Sequence, residues 1–425
     1  MEIKTNVLVL GIGQSNFLNA LYGEILKRDA TFSFDIDFLK HLPNDNYNES
    51  ASVFAKNLNF DQQLNELPSL KKNWIFCKAI VRKFFLEVFL FELSQRKSLR
   101  KALQYCKRLA LKEYIYQTFI KPEKYDVLHF HFCTRQNLEY LHFIKNETKV
   151  ICSFWGSDLW RVSNRRDNYY VSKALENAQI ITVQTPEMAL ALKAKYGNHL
   201  TDKVTDLRFT ISAANYEAIN LFRNDAVALQ IFRQKYNLSS EKFIVALGHN
   251  AFQENSHIKM ITALKSLPES YKSKMIFVLH LSYGRKKQYL ADLANVVAQS
   301  PDLEFRILDN FMSPVEIAKL RLVTDIMIHA PISDALSGTI TEVLYAGNKV
   351  ITGGWLPFGI LRRNGIAFEE FEKFEDLPSK LIQTVEIVEQ NLYSTEQNIK
   401  HIEDFLFPDR TSKDWIELFR NLNNG

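Results

Sequence analysis

The sequence predicts an α/β protein of two doubly wound domains, each a parallel sheet covered by helices. Three observations predict it. Short apolar runs of strand length alternate with segments of helix length, the pattern of βαβ units. The alternation starts near residue 6, breaks over 212–240 and restarts at 243. The chain has 425 residues, a length that suits two domains.

The elements follow in order. "NVLVLGIG" (6–13) reads as a buried strand ending in glycines, with a helix from about Asn16 to Lys27 behind it. "FSFDIDFL" (32–39), "YDVLHFHF" (125–132), "KVICSFWGSD" (149–158) and "AQIITVQT" (178–185) are further strands, the last followed by a helix opened by Pro186. The second half runs through "FIVALGHN" (243–250), "KMIFVLHLSYG" (274–284), "LEFRILDNF", "DIMIHAP" and "KVITGG", with helices between. "DWIELFRNL" (414–422) is a last amphipathic helix. The boundaries expected are an N-terminal domain over 1–212 with a helical insertion at 71–121, a C-terminal domain over 240–400, and C-terminal helices over 401–425 that pack back toward the first domain.

Composition excludes several classes. At 46% hydrophobic and 24% charged the chain is neither disordered nor fibrous. It opens directly into a strand, without signal-peptide layout. No apolar run reaches the roughly 18 residues of a membrane span, so a cytoplasmic protein is expected. Cys77, Cys106, Cys133 and Cys152 are scattered without metal spacing and read as buried, reduced thiols. No metal site is expected.

The richest stretch is "HAPISDALSGTITEVLYAGNKVITGG" (329–354), a strand, a turn of small residues, a helix and another strand. Ligands of doubly wound sheets bind at the carboxyl ends of strands. Ser337, Gly338 and Thr339 sit where a helix start offers free N–H groups to an anion. Asp334 and Glu342 flank that turn, eight positions apart. Carboxylates beside a phosphate suit hydroxyls, and a sugar nucleotide has hydroxyls on both sides of its diphosphate. The same acids also read as an N-cap and a solvated helix residue.

"SDALSGTITEVLYAG" resembles the E-x7-E region of family-4 GT-B glycosyltransferases, with Asp334 in the place of the first Glu and Glu342 as the second. The resemblance implies the GT-B fold, two Rossmann-like domains facing a cleft, with the first acid against the donor sugar and the second on the nucleotide ribose. "LGHNAFQENSHIKMITAL" (247–264), "LHLSYGRKKQYLADL" (279–293) and "FWGSDLW" (154–160) resemble loops of the 4-acetamidofucosyltransferases of enterobacterial common antigen synthesis. These matches cover most of 240–365 and short pieces of the first half. They imply that Asn250, Asn255 and His257 lie on the donor phosphate side. Family-4 enzymes carry an Arg and a Lys there; His249 stands in the first place, leaving Lys259 or Arg285 as the cation. Asp158 would orient or deprotonate an acceptor hydroxyl, or cap its own turn. Gly13 would bring the first turn close to the donor. The family often has His where Trp155 stands. His129 and His131 share one face of a strand and read as core histidines.

Residues 71–121 hold thirteen Lys and Arg against three Glu, with aromatic and aliphatic residues between them. That is the make-up of a surface that lies on anionic lipid, and equally of an ordinary helical cover. Phe84, Phe85 and Phe89 would join a lipid contact if they face outward. No nucleic-acid motif accompanies the charge.

The expectation is therefore a hexosyltransferase-like, nucleotide-sugar-dependent enzyme of polysaccharide biosynthesis, peripheral at the inner face of the membrane. It would be metal-independent, with no cofactor beyond its donor, and retaining on the E-x7-E likeness, where the acetamidofucosyl likeness implies inversion. The acceptor would be a lipid-linked or surface glycan. A GT-B sugar-nucleotide epimerase and a non-catalytic GT-B partner subunit stand as alternatives.

Overall fold

The computed structural model describes residues 4–12, 16–37, 53–144, 148–209, 213–390 and 395–424. It divides into two compact units, Met1–Thr210 with Thr411–Gly425, and Ile211–Arg410.

The first unit is built on β1 (Thr5–Leu10), β2 (Phe32–Ile36), β3 (Lys56–Asn57), β4 (Val127–His131), β5 (Lys149–Ser153), β6 (Ile180–Val183) and β7 (Val204–Asp206). Their order is β3-β2-β1-β4-β5-β6-β7, with every neighbouring pair parallel. The order reverses between β1 and β4, as in a doubly wound sheet. Strands buried on both faces need continuous apolar runs, and "VLVL" and "VLHFH" supply them. Val7, Phe34 and Ile151 pack with Tyr22 of the helix Asn16–Arg28 and with Trp415 and Phe419 of the helix Pro408–Asn424. Trp415 is fully buried and donates Nε1–H to the Arg208 carbonyl at 2.9 Å. Truncating it to alanine should cost about 3–5 kcal/mol. The turn after β1 does require glycine. At Gly11 φ is +107°, and a Cβ there would lie 2.1 Å from the His131 carbonyl oxygen. Gly13, the residue singled out from sequence, lies outside the described residues.

The helices Ser69–Ile80, Lys83–Ser94 and Leu99–Ile115 cover this unit and hold a core of their own, built from Ile75, Phe85, Val88, Tyr105 and Leu109. Phe85 is buried, and Phe84 and Phe89 pack against that core, so these three do not form an outward apolar face. The outward residues are others. Leu70 (83% exposed), Trp74 (55%), Val81 (74%) and Leu90 (64%) stand in solvent among lysines. Three cysteines are buried as expected, but Cys77 is exposed on the first of these helices.

The second unit contains β8 (Phe243–Leu247), β9 (Met275–His280), β10 (Phe305–Leu308), β11 (Ile326–His329), β12 (Lys349–Gly353) and β13 (Glu369–Phe371). The order β10-β9-β8-β11-β12-β13 is again parallel throughout, reversing between β8 and β11. Residues 213–235, left between the halves by the sequence analysis, form the helices Ala213–Phe222 and Ala226–Lys235 of this unit. Tyr216, Ile219 and Phe232 are their buried contacts. These apolar anchors are sparse among Asn, Ala and charged positions, which hid the helical period. Among the described residues no helix is long and apolar enough to cross a membrane.

Candidate active site

The register of the second sheet assembles a site at its switch point. Leu247 pairs with Ile328, and Ala246 with Val278. Two steps on, the chain leaves β8 at Gly248, level with His329 at the end of β11 and His280 at the end of β9. Gly248 has φ +66°, and a Cβ on it would come within 2.8 Å of His257 Nε2. The backbone thus turns hard against the helix His257–Leu264.

Four imidazoles meet here. His257, His280 and His329 are buried, and His249 is half-buried with its ring centroid 5.4 Å from that of His329. Burial pushes the His257 and His280 rings down to about 4, so both are neutral near pH 7. Several sealed polar atoms have no partner within the protein: Nε2 of His257, Nδ1 of His249 and of His329, and Oδ1 of Asn255. Native interiors seldom leave such atoms unpaired, so each calls for a partner from outside the chain, a water, an ion or a ligand. The asparagines hold the loop. Asn255 Nδ2 donates to Asn250 Oδ1 at 2.6 Å, and Asn250 Oδ1 also accepts from the Phe252 amide at 2.9 Å.

The turn after β11 brings in the acids. Asp334 Oδ2 lies 2.7 Å from His329 Nε2, while its Oδ1 accepts from the Ala335 amide at 2.8 Å. Ser337 is the N-cap of the helix Gly338–Tyr345, but its side chain makes no cap bond. The first-turn amides at Gly338 and Thr339 therefore have neither an intrahelical acceptor nor a side-chain cap. Both residues are half-buried. Glu342 is not a solvated helix position. It is buried, with Oε1 bonded to Asn215 Nδ2 at 2.7 Å and Oε2 to Arg321 Nε at 3.1 Å. A ribose contact by Glu342 would have to share those oxygens.

The two expected cations are engaged elsewhere. Arg285 Nη1 donates to the Asp309 carbonyl at 3.1 Å, and Lys259 is exposed with Nζ 5.6 Å from the Phe374 ring centroid. Neither bonds a residue of the cluster. Arg362 pairs with Glu370 at 2.6 Å. Arg321, His280, His329, Tyr283 and Asn215 were not singled out from sequence. The signal for two of them was present: a histidine ends each of "MIFVLH" and "IMIH", at the ligand-facing end of a parallel strand.

Asp158 belongs to the first unit. It is buried and accepts backbone N–H bonds from Cys133, Trp155, Gly156 and Leu159 at 2.7–3.1 Å. Burial pushes its carboxyl up to about 6 against those bonds. This geometry holds the "FWGSD" loop, the turn-capping reading, and leaves no oxygen without a donor for an acceptor hydroxyl. His129 and His131 are core histidines in a buried chain. Trp155 Nε1 donates to His131 Nδ1 at 3.1 Å, which forces the proton of neutral His131 onto Nε2. That N–H meets Tyr22 Oη at 2.7 Å, Tyr22 donates to His129 Nδ1 at 2.8 Å, and His129 Nε2 donates to Ser153 Oγ at 2.7 Å. Ser153 completes the chain to Thr182 Oγ1 at 2.6 Å.

No protein-family model and no curated protein matches the chain. Solved structures do. A glycosyltransferase from Rickettsia africae ESF-5 superimposes with a TM-score of 0.70 at 15% identity, covering 99% of this chain and 98% of that one. Anabaena Alr3699/HepE, in complex with UDP and glucose, gives 0.66 at 12% identity over 98% and 100%. An α,α-trehalose 6-phosphate synthase from Burkholderia multivorans gives 0.67 at 8% identity over 99% and 97%. With its two parallel sheets of seven and six strands flanked by helices, the chain has the GT-B fold.

Proposed function

We propose that the protein is a glycosyltransferase that moves a sugar from a nucleotide-sugar donor to an acceptor. The observation that carries this is the strand-end cluster of the second unit. Open first-turn amides at Gly338 and Thr339 lie in the turn after β11, and sealed, unpartnered imidazole and amide atoms gather at the switch point. That chemistry suits a diphosphate flanked by hydroxyls. The fold is one that HepE, crystallised with UDP and glucose, also has. Ser337, Gly338, Thr339, Asn250, Asn255 and His257 are the donor contacts in this reading, with Asp334 and Glu342 behind them. Lys259 and Arg285 serve only if they leave their present partners. The transfer is retaining, following the resemblance of the Asp334/Glu342 stretch to the E-x7-E region, and metal-independent.

The acceptor is a lipid-linked or surface glycan, reached from an anionic membrane surface. Support comes from the exposed apolar residues of 69–94, interleaved with Lys71, Lys78 and Lys83. Lys78 Nζ sits 3.7 Å from the Trp74 ring centroid, so charge and apolar surface occupy one patch. Incubation with a panel of nucleotide sugars, with and without acceptor lipids, tests the whole reading. Acceptor-dependent release of nucleotide with a new glycoside is expected. A donor sugar isomerised without acceptor would make the protein an epimerase, and inertness toward every donor would make it a partner subunit.

A further inference from the structure

The strand-end cluster contains little fixed positive charge. Arg321 is the cation that bears on His249 and His280, and its Nε is already bonded to Glu342. Asp334 sits against His329, and Glu254 bears on Tyr289, which meets His257 Nδ1 at 3.0 Å. Tyr283 faces the cluster from the loop after β9 and accepts from Asn250 Nδ2 at 3.3 Å. Burial holds His249, His257 and His280 below the usual imidazole range, so one guanidinium, Arg321, faces two negative charges, the carboxylates of Glu342 and Asp334, around the place where a diphosphate would lie. A diphosphate diester adds two more. Burying charge without compensation is strongly unfavourable.

The His329–Asp334 pair offers the compensation. The Asp334 carboxylate at 2.7 Å holds the proton of neutral His329 on Nε2. Nδ1 is then a bare lone pair, sealed from solvent and without a partner. A carboxylate behind an imidazole favours the imidazolium, and a proton on Nδ1 converts that atom into a charged donor. Resting on the nucleotide-sugar reading above, we infer that the donor diphosphate binds this cluster together with a proton, taken up by His329 with Asp334 as its counter-ion, in place of a fixed cationic clamp. Within the protein alone, a proton on His329 Nδ1 would be a buried donor with no acceptor. The charge arrives with the ligand. Asp334 is then a positioning residue that acts through His329.

Calorimetry on the full chain tests this with UDP-, GDP-, ADP- and dTDP-glucose, whose diphosphate diesters exchange no proton near neutrality. Titrations run from about pH 6 to about pH 8 with EDTA, in two buffers of different ionisation enthalpy. For one proton bound with the ligand, affinity should fall up to about tenfold per pH unit as pH rises, and the measured heat should differ between buffers. Asp334→Asn should lose most of that buffer-dependent heat while keeping the wild-type melting curve, and His329→Gln should behave alike. Affinity constant within about twofold across the range, with no buffer effect, would overturn the inference and leave the nucleotide-sugar reading standing. Binding that appears only when magnesium replaces EDTA would also overturn it. Failure of every sugar nucleotide to bind at any pH would instead overturn the reading on which it rests.

Discussion

Replacing Arg321 or Glu342 singly should destabilise the second unit far more than replacing both. The side chains are 6% and 11% exposed and meet at 3.1 Å. They tie the helix Pro314–Val323 to the helix Gly338–Tyr345, and Asn215 joins them from the helix Ala213–Phe222. Glu342→Leu strands the Arg321 guanidinium in a nearly dry site and deprives Asn215 Nδ2 of its acceptor. Arg321→Met strands the carboxylate. Breaking a buried pair from one side costs about 3–5 kcal/mol, and the burial here leaves little solvent to soften it. In the double variant no buried charge remains, and apolar replacement of a whole pair is often near neutral. The double should therefore lie within about 1–2 kcal/mol of wild type, a coupling of several kcal/mol. Urea unfolding followed by hydrogen exchange in peptides from 211–410 reports this unit without assuming that the chain unfolds as one. Single losses below about 1 kcal/mol, or singles that simply add in the double, would refute the burial argument. The same series separates binding from folding: loss of nucleotide affinity in Glu342→Leu that is not shared by Arg321→Met would argue for a ribose contact.

Tyr22→Phe should leave His129 Nδ1 and His131 Nε2 unpaired in the core and cost about 2–4 kcal/mol, read by denaturant unfolding of the first unit; a loss under about 0.5 kcal/mol would mean the two imidazoles re-pair. Burial holds His131 at about 3 and His142, His257 and His280 at about 4, below the usual histidine value. The unfolded chain then binds more protons between about pH 6.5 and 4, so this contribution is fully present above about 6.5 and is lost on acidification, by up to about 1.4 kcal/mol per pH unit per ring. Asp158, raised to about 6, opposes it over part of that window. Melting temperature should nonetheless fall on going from about pH 6.5 to 4, and a flat profile would show that the rings are not buried neutral. At low salt the protein should co-sediment with anionic vesicles. Trp74→Ser with Leu90→Ser should weaken this at all salt concentrations, and Lys71→Glu with Lys78→Glu mainly at low salt. No sedimentation with wild type would remove the membrane contact.

Much of the architecture was legible because parallel strands buried on both faces are continuous apolar runs. "VLVL", "MIFVLH" and "IMIH" leave few other readings. The helices at 213–235 were not legible, since their anchors, Tyr216, Ile219 and Phe232, are too far apart in a polar segment to show a period. At the site, the turn at Ser337–Gly338 was legible from its small residues. The bonding of Glu342 was not, because Arg321 and Asn215 lie 21 and 127 positions away, and no spacing in the sequence links them. The same holds for Phe84, Phe85 and Phe89: helical spacing identified an apolar face but not what covers it. The covering core, with Tyr105 and Leu109, is set by tertiary packing.

The hydrogen-bonded chain from Trp155 to Thr182 has a direction. Its first donor, the indole N–H, can never accept, so each later group has its donor and acceptor roles assigned from that end. Six side chains from a loop, three strands and a helix thereby share one polarity, read from the loop inward. Substitution at any of the four members between Trp155 and Thr182 is tolerated only by a residue that keeps both the donor facing one way and the acceptor facing the other. Related sequences should therefore change these positions in concert. A chain with phenylalanine at 155 would release His131 to take either tautomer, and with it the whole row to reverse.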